Sequence, residues 1–90
     1  MKVITFNNEN GKLTFVGDDL RYTPNESSML KQVARHSDGT MFAYFTNGAT
    51  YRYKAVPFSA LVAIMSSDSA GKAFNEVIKK AGYEYEKVKL

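Results

Sequence analysis

Two short stretches of this 90-residue chain hold most of the side chains whose types and spacing could do chemistry. The first is "FAYFTNGATYRYK", residues 42–54. Strand residues two apart share a face, so Tyr51 and Tyr53 point one way and Arg52 and Lys54 the other. Phe42 and Tyr44 beside Arg52 and Lys54 suit stacking on bases and neutralising phosphates. An aromatic platform contributes about 1–3 kcal/mol per base with little regard for sequence. The plainer reading makes Tyr51 and Tyr53 core residues and packs Phe42 and Tyr44 under an N-terminal hairpin. The second stretch is "SDSAGKAFN", residues 67–75, which puts Ser69, Gly71 and Lys72 at a helix start. Free N–H groups and the positive end of the helix dipole favour a phosphate there. The G-x-x-x-x-G-K-[ST] spacing of a nucleotide-hydrolysing loop is absent. On the plainer reading Ser69 caps the helix, Gly71 allows close packing, and Asn75 bonds to nearby backbone.

Catalysis finds no comparable constellation. His36 is the single histidine. It sits beside a Ser-Asp-Gly turn with nothing resembling a nucleophile elbow. No carboxylates are spaced to hold a metal. The absence of cysteine excludes disulfides, thiolate nucleophiles and zinc–thiolate sites. The expectation is a protein that is not an enzyme and uses no cofactor or metal. A cysteine-free chain fits the cytoplasm. The apolar start of "MKVITFNNENGK" is too short for a signal peptide, and a membrane span needs about 20 apolar residues.

Charge is unevenly distributed. Residues 1–50 balance Lys2, Lys12, Arg21, Lys31 and Arg35 against Glu9, Asp18, Asp19, Glu26 and Asp38. Residues 51–90 set seven cations (Arg52, Lys54, Lys72, Lys79, Lys80, Lys87, Lys89) against Asp68, Glu76, Glu84 and Glu86, so the whole net charge of +3 lies there. That asymmetry is permissive for a phosphate-bearing partner.

The elements that must position these groups read as strands first and helices second. "KVITF" and "KLTFV" flank an Asn/Gly cluster and form a hairpin. "GDDLRYTPNE" reads as a polar connection, with Pro24 breaking any regular element. "SSMLKQVARH" fits a strand or a helix by period, and the turn and strand "SDGTMFAYF" after it favour a strand. Helices follow. Phe58, Leu61, Val62 and Met65 fall on one stripe, with Pro57 in the first turn. Ala70, Phe74, Ile78 and Ala81 form a second stripe beside Val77, with Lys72, Asn75, Glu76 and Lys79 opposite. Gly82 ends that helix as a C-cap glycine would. "YEYEKVKL" is a last short strand or a tail with Tyr83 and Tyr85 tucked in. The predicted class is α+β: an antiparallel sheet of hairpins followed by two helices packed on one face, in a single domain over residues 1–90.

The hairpin at Asn47-Gly48 can close in two registers. A two-residue type I′ turn sets Tyr44 opposite Tyr51 and puts four aromatics on one face. A three-residue loop, with Gly48 left-handed in a bulge, shifts the pairing by one residue. Met41, Ala43, Phe45, Tyr51 and Tyr53 then share the helix face, leaving Phe42, Tyr44, Arg52 and Lys54 outward. The second register is favoured because it keeps the cations out of the core. In either register both faces carry large apolar groups, whereas a sheet covered on one side alternates apolar with polar. The second face therefore calls for a cover: the N-terminal hairpin, a second copy of the chain, or a ligand.

The order "SS…V", "MFAYF", "NG", "YRY", "VP", "SAGKAFN" resembles the KTSC domain, a small module found at the C-terminus of some lysyl-tRNA synthetases and alone in small bacterial and phage proteins. The resemblance covers about residues 27–85, with residues 1–24 an additional hairpin. Its Y-x-Y falls on Tyr51 and Tyr53, followed by Val56-Pro57, and its S-x-G-x-x-F-N on Ser69, Gly71, Phe74 and Asn75. Leu61 stands where the family usually has an aromatic, and Ala73 is smaller than usual. The tRNA-synthetase context implies RNA binding by association only.

Three functions follow as expectations. The first is a non-enzymatic module for RNA or single-stranded nucleic acid, using Phe42, Tyr44, Arg52 and Lys54, with Ser69, Gly71 and Lys72 taking a phosphate. The second is a protein-interaction module, such as a phage-encoded inhibitor of a host protein. The third is a phosphate-rich small nucleotide held at the helix start. No membrane partner is expected, and monomer and homodimer both stay open.

Overall fold

The computed structural model describes residues 3–25 and 29–88. The expectations attached to Lys2, Glu26, Ser27, Ser28 and Lys89 lie outside them. Seven strands form one antiparallel sheet: β1 (Val3–Asn7), β2 (Gly11–Val16), β3 (Asp19–Pro24), β4 (Leu30–Arg35), β5 (Met41–Phe45), β6 (Thr50–Tyr53) and β7 (Tyr85–Val88). Their order across the sheet is their order in the chain. Helices α1 (Phe58–Ser66) and α2 (Ala70–Phe74), the latter running on into a π-helical turn (Asn75–Lys79), intervene between β6 and β7. The architecture is the α+β arrangement predicted.

The Asn47-Gly48 hairpin takes the three-residue register. Gly48 N–H donates to Phe45 C=O at 3.0 Å, and Phe45 N–H to Ala49 C=O at 2.9 Å. Gly48 has φ +92°, a conformation that glycine adopts without a Cβ penalty. Met41 therefore faces Tyr53 and Ala43 faces Tyr51, and Met41, Ala43 and Tyr53 are buried. Phe74 packs edge-on against Phe45 (5.5 Å) and Tyr53 (5.6 Å) from the helix layer. Truncating a buried Phe costs about 3–5 kcal/mol, a large share of the roughly 5–13 kcal/mol that holds a chain of this length.

Three expectations are corrected. "GDDLRYTPNE" is mostly strand β3, joined to β2 by a tight Gly17-Asp18 turn. Tyr22 is wholly buried while Arg21 and Thr23 are exposed, so the stretch does alternate. Pro24 is tolerated because the pairing with β4 runs only from Leu20 to Tyr22. In α1 the buried residues are Ala60, Leu61 and Ile64, while Phe58 and Val62 are exposed. That segment is apolar on nearly every side, so its period did not select a face, and Pro57 stands at the cap rather than within the first turn. In the second helix Ala70, Phe74 and Ile78 are buried as expected, but the π-helical turn changes the winding and leaves Ala81 exposed.

The N-terminal hairpin extends the sheet sideways through β2–β3 pairing rather than covering its second face. No helix among the described residues is long and apolar enough to cross a membrane.

Candidate nucleic-acid interface

Cross-strand register assembles the face away from the helices. One row runs Arg21–Ala34–Phe42–Arg52–Glu86 across five strands. The next runs Gln32–Tyr44–Thr50–Val88. Phe42 and Tyr44 lie two apart on β5, so their rings stand side by side, nearly parallel, with centroids 6.4 Å apart and planes 19° apart. Both remain partly exposed. Ala34 and Thr50, small residues in the same rows, are buried among these larger neighbours. Gln32 donates to the Thr23 hydroxyl at 3.0 Å, tying the polar border of the face together.

His36 is spent on positioning. Its ring meets Phe42 edge to face at 5.5 Å, and its Nδ1 lies 2.5 Å from Asp19 Oδ1. Asp38, the other acid near the histidine in sequence, accepts instead from Thr40 N–H at 2.9 Å. That bond lowers its pKa from the usual carboxylate value. The pairing of His36 with Asp19 leaves Asp38 as a turn residue. Among the described residues no group of three or more His, Asp or Glu is placed to hold a metal ion.

Arg52 pairs with Glu86 across β6 and β7, both side chains about half exposed. Its Nε is buried without a hydrogen-bond partner among the described residues. An exposed pair of this kind stabilises by about 0–1 kcal/mol, so a phosphate that offers a bidentate acceptor can replace Glu86 at small cost. Lys54 is exposed on the bend after β6, where its N–H donates to Glu84 C=O at 2.9 Å.

The two groups of expected binding residues do not come together. Phe42, Tyr44 and Arg52 lie on the open face, whereas Ser69, Gly71 and Lys72 belong to the helix layer that covers the opposite face. Ser69 occupies the N-cap position without a side-chain cap bond. It is held by Ser67, whose Oγ accepts its N–H at 3.1 Å and donates to its C=O at 3.0 Å. Asp68, Lys72 and Glu76 line the hollow beside it, of about 350 Å³. Two carboxylates against one ammonium disfavour an anion there.

Of the remaining motif residues, Tyr53 is buried and Tyr51 half-buried against Phe45. Burial, and then Tyr85 and Tyr51 nearby, raise the pKa of the Tyr53 hydroxyl. Asn75 opens the π-helical turn, its C=O accepting Lys80 N–H at 3.0 Å. Arg21 is the residue of the open face that the sequence reading passed over, because β3 was read as a connection. The Leu20-Arg21-Tyr22-Thr23 alternation was the signal that could have found it.

The chain is 46% identical over 41 residues to an uncharacterized protein of Stutzerimonas stutzeri (strain A1501). That match covers 46% of this chain and 58% of the relative's length. The KTSC domain pattern matches residues 26–85, a span that takes in β4 to β6, both helices and the opening residue of β7. With the Y-x-Y pair on β6 and Phe74 buried in the core against Tyr53, the chain belongs to the KTSC domain family.

Proposed function

We propose that this chain is a non-enzymatic binding module that takes single-stranded nucleic acid, RNA in the first instance, across its open sheet face. The observation that carries the reading is the side-by-side pair of Phe42 and Tyr44 on a face that no element among the described residues covers, with Arg21 and Arg52 in the same cross-strand row as Phe42. Bases stack on the two rings and the guanidinium groups take the phosphates. The helix start at Ser69 has no part in this reading. A second reading, a protein-interaction module, is favoured by a separate observation. Ile4 and Phe6 on β1, with Phe58 and Val62 on α1, are large apolar side chains left between 38% and 57% exposed.

An amide chemical-shift titration with a short mixed-sequence RNA, at low and high salt, tests the first reading. Shifts clustered on Arg21, Phe42, Tyr44 and Arg52 that vanish at high salt are expected, because phosphate contacts weaken steeply with salt. Phe42→Ala and Tyr44→Ala each weaken binding by about tenfold, the lower part of the range for one lost stacking contact. Absence of any shift at millimolar RNA would overturn the reading. Association through the β1 and α1 side chains, insensitive to salt, would replace it with the second.

A further inference from the structure

On the opposite side of the sheet, between β6, β7 and the π-helical turn, lies a cavity of about 420 Å³. That is within the usual size of a small-molecule site. Tyr51, Tyr53, Tyr83 and Tyr85 wall it, Ile78 forms its buried base, and Lys79 reaches it from the turn. The rings are set at angles: Tyr85 stands 6.0 Å from Tyr51 at 67° and 5.4 Å from Tyr53 at 33°. Lys79 also borders an adjoining hollow of about 340 Å³, which shares Tyr51 and includes Phe45. Its ammonium lies 5.6 Å from the centre of the Phe45 ring.

Two features select the occupant. The first is the winding of residues 75–79, where the i→i+5 bond from Lys80 to Asn75 widens the turn. Lys79 is exposed with Lys72 and Glu76, as sequence periodicity predicts, and from there it also borders both hollows beside the sheet's aromatic rings. Such π-helical turns are rare and concentrate at functional sites. The second is a sorting of charge across β7. Lys87 pairs with Tyr51, and Tyr85 with Tyr53, on the helix side. Glu86 points to the other face, where it is paired with Arg52. Aromatic cages commonly take quaternary ammonium groups, but two lysines beside these tyrosines repel a cation. The combination suits a flat ring carrying an anion.

We infer that this cavity binds a nucleotide, its base against the tyrosines and its phosphate at Lys79, with Lys87 nearby. The site is independent of the open face and does not rest on the reading proposed for it. A free mononucleotide and the phosphorylated end of a strand share this chemistry. The test is an amide chemical-shift titration with AMP and UMP, with adenosine and uridine as phosphate-free controls and a 5′-phosphorylated RNA trimer as the strand-end probe. Saturable shifts at Lys79, Tyr83 and Tyr85 in the millimolar range or below are expected for the mononucleotides, with the nucleosides weaker. Lys79→Gln, at an exposed position, lowers mononucleotide affinity about tenfold and leaves adenosine unchanged. Tyr85→Ala, also at an exposed position, weakens both. Tighter binding of the trimer at the same residues assigns the site to strand ends, and tighter binding of the mononucleotide assigns it to the free ligand. Nucleosides binding as well as nucleotides, an unchanged affinity in Lys79→Gln, or no saturation would overturn the inference. Shifts on Phe42 and Tyr44 instead would also overturn it, while leaving the open-face reading standing.

Discussion

Tyr22 is wholly buried on β3, and its hydroxyl has no hydrogen-bond partner among the described residues. The end of its ring lies against Gly11: a Cβ built there would come within 2.6 Å of both Tyr22 Cζ and its oxygen. A buried hydroxyl without a partner costs about 1–3 kcal/mol. Tyr22→Phe removes that cost and forfeits only a few dispersion contacts of about 0.1–0.2 kcal/mol each. The net expectation is a gain of about 1 kcal/mol, which raises the melting temperature of a domain this size by about 4–8 °C. The pH dependence adds an independent check. Burial raises the Tyr22 pKa above 10.0, so the native state favours the protonated phenol more than the unfolded chain does. The stability linked to that preference is complete below the unfolded pKa and is lost as pH rises through the folded one. Tyr53 behaves in the same way in both proteins, so each loses stability in alkali and the wild type loses more. The advantage of Tyr22→Phe therefore widens above pH 10. Thermal melts followed by circular dichroism at neutral and alkaline pH measure both effects. A lower melting temperature for Tyr22→Phe at neutral pH would show that the hydroxyl is bonded. A difference that stays constant with pH would remove burial as the cause of the shift.

Other substitutions probe separate parts of the argument. Gly11→Ala destabilises by about 1–3 kcal/mol in urea unfolding, and Tyr22→Phe does not rescue it, because the new Cβ also comes within 2.6 Å of the Thr23 backbone oxygen. Gly48→Ala costs about 1–2 kcal/mol in urea unfolding through its left-handed backbone, and a neutral result would show that the loop does not hold Gly48 in that conformation. Glu86→Gln changes stability by less than about 1 kcal/mol. It strengthens RNA binding severalfold at low salt by freeing Arg52, and an unchanged affinity would remove Arg52 from the interface.

The parts of the fold that were legible in the sequence are those where chemistry left one option. The face assignment of Tyr51 and Tyr53 followed from the cost of burying Arg52, and Gly48 has the backbone freedom that the bulged loop requires. β3 was hidden by Pro24, whose usual meaning holds in mid-sheet but not past the last paired residue. The rotation of α1 was hidden by an excess of apolar residues, since Phe58 packs under the Arg35 guanidinium 5.9 Å away rather than into the core. Nothing in a 3.6-residue period announces a π-helical turn, so the position of Lys79 beside the tyrosines was out of reach. Of the candidate site, Phe42, Tyr44 and Arg52 were brought together as expected. The helix start was attached to them by charge alone, and charge does not say which side of a sheet a helix covers.

The sequential strand order has a consequence for how the chain folds. β1 to β6 pair only with chain neighbours through short connections, contacts that form quickly because little loop entropy opposes them. The β6–β7 pairing must wait for both helices, since it closes an excursion running from Lys54 to Glu84. A four-residue strand, exposed along most of its length, is then the last piece to dock and the first to leave. Native-state hydrogen exchange should find its amides opening far below the global unfolding energy. Because Tyr85 travels with that strand, occupancy of the tyrosine cavity would register there first, as slower exchange in β7 while β2 to β5 keep their rates.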